Sequence, residues 1–370
     1  MRIALVHDDL TQRGGAERVV AAMHQVWPDA PLFTSVYDPQ GTFPIFEQAD
    51  VRTSFLQKVP LASSARHNKK FLALYPLAFE TLDLRGYDVV LSSSTRFGHG
   101  ILTEPDTMHI CYCHAPMRFA WRYHEYITEG SFGRAEQLFL PGMIHRLRLW
   151  DFAAAQRVDR FLTNSANISR RIWKHYRREA DVLHPPADTK RFSVVENPTA
   201  DYLLVVSRLL PYKRVDLAVE ACTRLNLPLK VVGSGPDEAR LRAMAGPSVT
   251  FLGRLPDDEI NSLYSNCRAF LFPGEEDFGI APIEAMASGR PVVAFGRGGA
   301  LESVVENQTG IFFSEPTAGS LAEALGRLDA LEFSPAALRR HAETFDSAVF
   351  ASELERKVTE SWAVFQERGR

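Results

Sequence analysis

"AFLFPGEEDFGIAPIEAMASGRPVVAFG", residues 269–296, reads as a strand, a loop, a helix and a second strand in succession. The run 269–274 is the strand, and a glycine-punctuated loop from Gly274 to Ala281 leaves its carboxyl end. Pro282 suits the first helical turn, where a missing N–H costs nothing. Gly289 suits the position just past the helix, and Arg290-Pro291 opens the next strand. Two glutamates sit eight positions apart on this unit, Glu276 on the loop and Glu284 in the first turn of the helix. Both lie at the same end of the unit, so they can reach one ligand from two directions.

The same alternation runs along the whole chain. Short apolar runs at 2–7, 31–37, 87–93, 109–114 and 160–165 form a first set of strands, and those at 201–207, 227–233, 249–253, 269–274 and 291–296 a second. Helical patterns fall between them, which favours parallel sheets with crossover helices. Pro185-Pro186 can continue neither a ladder nor a helix and suits a hinge. The expected fold class is α/β: two Rossmann-like doubly wound domains, 1–185 and 186–345, facing a deep interdomain cleft. The tail, 346–370, reads as one more helix, capped by Asp346 or Ser347, with Phe350, Leu354, Val358, Trp362 and Phe365 as its apolar stripe, packing on or across the domains.

Composition sets outer bounds. A chain of 370 residues, 45% hydrophobic, can build two full cores. A net charge of −3 gives no global reason to expect nucleic acid. No run approaches the ~18 apolar residues of a membrane span, and "MRIALVHDD" reads as a first strand rather than a signal peptide, so the expectation is a cytoplasmic protein. Four cysteines make no disulfide framework, and Cys111 and Cys113 read as small buried residues, since Cys222 and Cys267 offer no compatible metal spacing.

The residues at the strand ends carry the chemistry. Ionised carboxylates only accept hydrogen bonds, and each can take two hydroxyls, so Glu276 and Glu284 match the vicinal hydroxyls of a sugar or ribose. They could also be the acid and base of a hydrolase, or a dipole-favoured helix glutamate beside a solvated loop charge. Gly279 permits close backbone approach to a ligand. In "VVSRLLPYKRVD", 205–216, Arg208 and Lys213 stand on the loop after the first strand of the second half. Two cations there could hold a diphosphate and meet the charge that builds on it as it leaves, or be solvated. Gly14-Gly15 precede a helix and suit a phosphate, without the dinucleotide fingerprint. Gly233 and Gly235 signal a turn. His114 is a strand-end histidine. Asp8-Asp9 is the one acidic pair suited to a hard cation, a loop start or an acceptor contact.

Taken together, "EDFGIAPIEAMASGRPVVA", "SRLLPYKRVD", "GGAER", "CHAPMRFAWRYHEY", "NSANISRRIWKHY" and "GRGGALESV" resemble glycosyltransferase family 4, along nearly the whole chain. The resemblance implies retaining, metal-independent transfer on the GT-B fold. It places Glu276 at the donor sugar hydroxyls and Glu284 at the nucleotide ribose. Phe278, Gly279 and Ile280 would line the sugar and phosphate side of their loop. Arg208 and Lys213, with Ser207 beside them, would meet the donor diphosphate, with Gly14 and Gly15 facing it from the first half. His114 would stand near the transferred sugar.

"HDDLTQRGGAERVV" and "HAPMRFAW" are similar to mannosyltransferases of bacterial O-antigen and exopolysaccharide assembly. That implies GDP-mannose as donor substrate, with no cofactor, and a glycan or lipid-linked glycan as acceptor. A UDP-sugar donor, or a sugar-nucleotide epimerase on the same scaffold, is the alternative. Arg66, Lys69 and Lys70 beside an apolar run, and Arg170, Arg171, Lys174, Arg177 and Arg178 with Trp173 and Tyr176, suit an anionic membrane surface.

Overall fold

The computed structural model describes residues 1–59, 68–122, 134–195 and 201–368. They form two compact units, Met1–His184 with Phe350–Arg370, and Pro185–Val349. Arg66 lies outside the described residues, as do 123–126 of the "CHAPMRFAWRYHEY" stretch.

The first unit is built on a seven-stranded, wholly parallel sheet in the order β3-β2-β1-β4-β5-β6-β7. Its strands are β1 (Ile3–His7), β2 (Leu32–Thr34), β3 (Val51–Thr53), β4 (Val89–Ser94), β5 (Met108–Cys113), β6 (Arg160–Thr163) and β7 (Ala180–Val182). Both faces are covered, so neighbouring residues enter different cores: Ile3 and Leu5 one, Ala4 and Val6 the other. This is why such strands read as continuous apolar runs.

The C-terminal helix, Ser347–Arg368, belongs to this unit for most of its length. Its stripe of Phe350, Leu354 and Val358 enters the core that holds Ile3 and Leu5, with Trp362 and Phe365 packed against it. Arg160 on β6 donates to Ser361 of the helix at 2.6 Å. Asp346 caps it, accepting from the Ala348 N–H at 3.0 Å.

The second unit carries a six-stranded parallel sheet in the order β10-β9-β8-β11-β12-β13. The strands are β8 (Leu203–Val206), β9 (Leu229–Val232), β10 (Val249–Gly253), β11 (Ala269–Phe272), β12 (Val292–Phe295) and β13 (Gly310–Phe313). Along β11, Ala269 and Leu271 face one core, Phe270 and Phe272 the other.

Each strand order reverses once, between β1 and β4 in the first sheet and between β8 and β11 in the second. That reversal is the Rossmann-type switch point, where loops diverge and leave room for a ligand. Among the described residues no helix is long and apolar enough to cross a membrane. All four cysteines are buried and outside any disulfide among the described residues; burial pushes the Cys111, Cys222 and Cys267 thiols up to about 12.

Candidate active site

In the C-terminal unit three of the residues singled out from sequence, Ser207, Lys213 and Glu276, come together at the switch point. Ser207 and Arg208 follow β8, and Glu276 follows β11, the strand paired with it. Lys213 ends a short 3-10 turn, Pro211–Lys213, directly before the helix Val215–Leu225. Its Nζ lies 2.5 Å from Glu276 Oε1, with the two side chains only 14% and 20% exposed. The loops touch because Gly274 has no side chain: a Cβ there would come 2.8 Å from the Lys213 carbonyl oxygen.

Arg208 is exposed and has no side-chain partner among the described residues. Its loop rests on the Gly233–Gly235 turn. A Cβ on Gly233, whose φ is +123°, would fall 1.9 Å from the Ser207 carbonyl oxygen, and one on Gly235 2.1 Å from that of Leu209. The Ser234 carbonyl accepts from the Leu209 N–H at 3.0 Å. These glycines therefore set the height of the Arg208 loop.

Glu284 occupies the first turn of the helix Ala281–Ala287, with Pro282 at its start and Gly289 (φ +75°) just past its end. The Tyr264 hydroxyl donates to Glu284 Oε2 at 3.1 Å. Arg191 approaches Oε1 at 3.7 Å while holding Asp257 at 2.8 Å. Sequence reasoning missed Tyr264 and Arg191, because nothing local to either marks a neighbour so far along the chain.

One of the expected lining side chains has another place. Phe278 is 3% exposed and packs on Phe345, with ring centroids 5.7 Å apart. Its side chain anchors the loop in the core, so it does not line the open side; an apolar ring gains more from burial than from facing a phosphate. Ile280 is half-buried against that core, and its carbonyl accepts from the Glu284 N–H at 3.1 Å. The Glu276 carbonyl accepts from the Gly299 N–H at 2.9 Å, tying the loop to the "GRGG" turn.

Gly279 has φ +87°, and a Cβ there would sit 2.4 Å from the Phe272 ring. Both features require glycine whether or not a ligand approaches. Gly279→Ala is expected to destabilise this unit by about 1–3 kcal/mol, read as a lower urea midpoint at unchanged m-value. An unchanged midpoint would show that the loop relaxes without cost.

In the N-terminal unit, Gly14 caps the helix Gly15–Val26. A Cβ on Gly14 would lie 2.5 Å from Glu17 Oε2, whereas nothing stands within 4 Å of one on Gly15. Gly14 therefore makes room for the Glu17 carboxylate, and Gly15 faces open space. His114 follows β5, is half-buried, and has its Nε2 2.9 Å from Ser93 Oγ. Burial, aided by the charge of His7, lowers its pKa to about 3.

Asp8 is a loop start. Its Oδ1 accepts the N–H groups of Phe97 and Gly98, each at 2.7 Å. Its Oδ2 accepts those of Thr95 and Arg96 at 2.5 and 3.0 Å, with the Thr95 hydroxyl at 2.7 Å. Burial alone would raise its pKa, but Arg96, His7 and Thr95 together hold it at about 2. Asp9 pairs with Arg96.

The basic stretch of the helix Ala166–Tyr176 divides. Arg170, Trp173, Lys174 and Arg177 are exposed, Trp173 by 52%. Tyr176 is buried, its hydroxyl donating to Asp151 at 2.8 Å, and Arg178 donates to the Ala155, Gln156 and Asp159 carbonyls. Those two serve the unit's packing rather than its surface.

The chain resembles known proteins. The family described as "Glycosyltransferase Family 4" matches residues 13–191, and "Glycosyl transferases group 1" matches 186–344. The chain is 32% identical, over 157 residues, to the GDP-mannose-dependent alpha-(1-6)-phosphatidylinositol monomannoside mannosyltransferase of Mycobacterium tuberculosis. That match spans 38% of this chain and 40% of the relative's length. Alpha-1,3/1,6-mannosyltransferase ALG2 of Mus musculus is 27% identical, over 96% of this chain and 95% of that protein. The solved structure of Anabaena HepE in complex with UDP and glucose superposes with a TM-score of 0.70 at 18% identity, covering 97% of this chain and 99% of that one. Sucrose-phosphate synthase from Thermosynechococcus elongatus gives 0.71 at 17% identity, covering 98% and 99%.

Proposed function

The chain belongs to glycosyltransferase family 4 and has its GT-B fold of two Rossmann-like units, and from that premise we propose that it is a retaining, metal-independent α-mannosyltransferase. Its donor is GDP-mannose and its acceptor a glycan or lipid-linked glycan. The observation that carries the reading is the Lys213–Glu276 pair at the second switch point. A cation and a carboxylate in contact there match a ligand that is anionic at one end and rich in hydroxyls at the other.

In the free protein the two side chains neutralise each other. The donor exchanges that pair for two better-matched contacts: Lys213 and Arg208 take the diphosphate, and Glu276 takes sugar hydroxyls. Glu284, steadied by Tyr264 and Arg191, accepts from the ribose. The positive end of the helix Val215–Leu225 adds to the field at the phosphates. As the anomeric C–O bond to phosphate breaks, the acceptor oxygen forms its bond from the same face, and the acceptor proton leaves with the diphosphate. The cations stabilise the charge on that leaving group. His114 contacts the transferred sugar, and Gly15 leaves the N-terminal helix open to phosphate. The mannose reading draws support from GDP-mannose-dependent relatives at 32% and 36% identity over part of the chain. Exposed Arg170, Trp173, Lys174 and Arg177 support docking on an anionic membrane surface.

A thermal-shift panel of nucleoside diphosphates and nucleotide sugars tests the donor, because a ligand that binds only the folded state raises Tm. GDP is expected to raise it and GDP-mannose to raise it further. A shift with UDP and UDP-glucose alone would overturn the guanosine reading. Isomerised sugar from donor incubated without acceptor would overturn transfer in favour of epimerisation.

A further inference from the structure

At the first switch point, a line of buried polar side chains leads to His114 from Glu17 on the helix Gly15–Val26. β1 and β4 pair in a register that sets His7 beside Ser93. His7 Nδ1 lies 3.0 Å from the Ser93 carbonyl oxygen and 3.2 Å from Ser93 Oγ. On the other side of the ring, His7 Nε2 is 3.7 Å from Glu17 Oε1. Gln12 donates to the same oxygen at 3.0 Å. Glu17 Oε2 is buried and has no hydrogen-bond partner among the described residues. Both residues are almost wholly enclosed, His7 1% and Glu17 2% exposed. A lone buried carboxylate is costly, and an ionised one needs a counter-charge. His7 is the group placed to provide it.

The proton positions follow from donor and acceptor chemistry. A carbonyl oxygen only accepts, so His7 Nδ1 carries a proton. His7 also faces Asp8 and Asp9 from the end of its own strand, Glu17 from the helix and His114 from the end of β5. Burial would lower its pKa, but Glu17, Asp8 and Asp9 together raise it. Burial would raise that of Glu17, but His7 and Gln12 lower it. With Nδ1 against a carbonyl oxygen and Nε2 facing a carboxylate, the geometry suits an imidazolium–carboxylate pair. With Nδ1 of His7 already protonated, the Ser93 hydroxyl cannot donate there. Its other hydrogen-bond neighbour among the described residues is His114 Nε2, 2.9 Å away, to which it can donate.

We propose that Glu17, His7 and Ser93 are positioning residues for His114: the Glu17–His7 ion pair orients Ser93 as a donor to His114 Nε2, which holds the His114 proton on Nδ1, where it donates to a hydroxyl of the transferred sugar. This rests on the reading of His114 as a sugar contact. Gly14 belongs to the same device, since any side chain there would strike the Glu17 carboxylate.

The test is the nitrogen spectrum of the full-length protein labelled with 15N-histidine, at neutral pH, together with donor kinetics. His7→Gln and His114→Gln serve to assign the signals. In the unsubstituted protein His7 is expected to show two protonated nitrogens, and His114 a protonated Nδ1 with a bare Nε2. A singly protonated His7, or a His114 protonated on Nε2, overturns the proposal. Ser93→Ala is expected to mix the His114 tautomers and lower kcat by about ten-fold or more, with the donor KM little changed. Ser93→Thr, which keeps the hydroxyl, restores both. Glu17→Gln is expected to abolish the doubly protonated His7 signal and lower kcat. Unchanged His114 signals in folded Ser93→Ala would overturn the positioning role. Normal transfer by His114→Gln alongside the expected tautomer pattern would instead sink the sugar-contact reading and leave the hydrogen-bond line standing.

Discussion

Lys213→Ala is expected to lower kcat for mannosyl transfer by about 100- to 1,000-fold while the donor KM moves only a few-fold. The reason is a difference between states. The bound donor already carries a diphosphate, and Arg208 together with the helix Val215–Leu225 can hold it. Additional charge appears on the bridging oxygen only as the anomeric bond breaks, and an interaction that strengthens at that moment acts on kcat. Lys213 is 14% exposed, so little water can substitute for it. Lys213→Arg keeps the charge but presents a planar fork in place of a compact ammonium, and partial recovery is expected. In Lys213→Ala, Glu276, only 20% exposed, is left without its counter-charge, so a lower Tm is expected as well, and the kinetics are read where the variant is folded. Initial-rate kinetics at varied donor concentration provide the check. A loss confined to KM would make Lys213 a ground-state diphosphate contact.

The basis of that prediction was largely legible in the sequence, and the basis of the His114 line was not. Arg208, Lys213, Glu276 and Glu284 are charged residues at the ends of apolar runs, and a charge in such a place stands out. The strands are legible because a parallel sheet buried on both faces needs continuous apolar runs. Val51–Thr53 and Ala180–Val182 escaped because they are three-residue edge strands, only partly buried or exposed, and need no such run. Gly310–Phe313 is an edge strand of four residues whose first is a glycine.

The buried polar line depends instead on register. His7 meets Ser93 across 86 positions only because β1 pairs with β4 in one alignment, and no local pattern encodes that alignment. Asp8 is similar, since its five donors come from a loop on β4. Phe278 shows the opposite error. The family resemblance placed it on the ligand side of its loop, while the Phe345 ring that holds it follows the helix Pro335–Glu343. Glycine has the same ambiguity: Gly14, Gly274 and Gly279 each clear space for a neighbouring protein group, whatever else approaches them.

Glu276→Gln is expected to reduce kcat/KM for GDP-mannose by roughly 100- to 10,000-fold with the fold intact. A hydrogen bond to a charged group contributes about 1.5–3 kcal/mol, a carboxylate can accept from two hydroxyls, and about 1.4 kcal/mol is a factor of ten. The amide is close to isosteric, but it offers an N–H where the second hydroxyl needs an acceptor, and it leaves Lys213 without its counter-ion. The loop itself should hold, since its anchors are the Glu276 carbonyl bonded to Gly299 and the buried Phe278 ring, neither of which the substitution touches. Thermal shifts separate the sugar role from a nucleotide role. GDP has no mannose, so its stabilisation of Glu276→Gln should equal that of the unsubstituted protein, and only the further increment from GDP-mannose should vanish. If the GDP shift is lost as well, Glu276 holds the nucleotide and not the sugar. If transfer proceeds at a near-normal rate, Glu276 lies outside the site, and the contact with Lys213 is a structural ion pair.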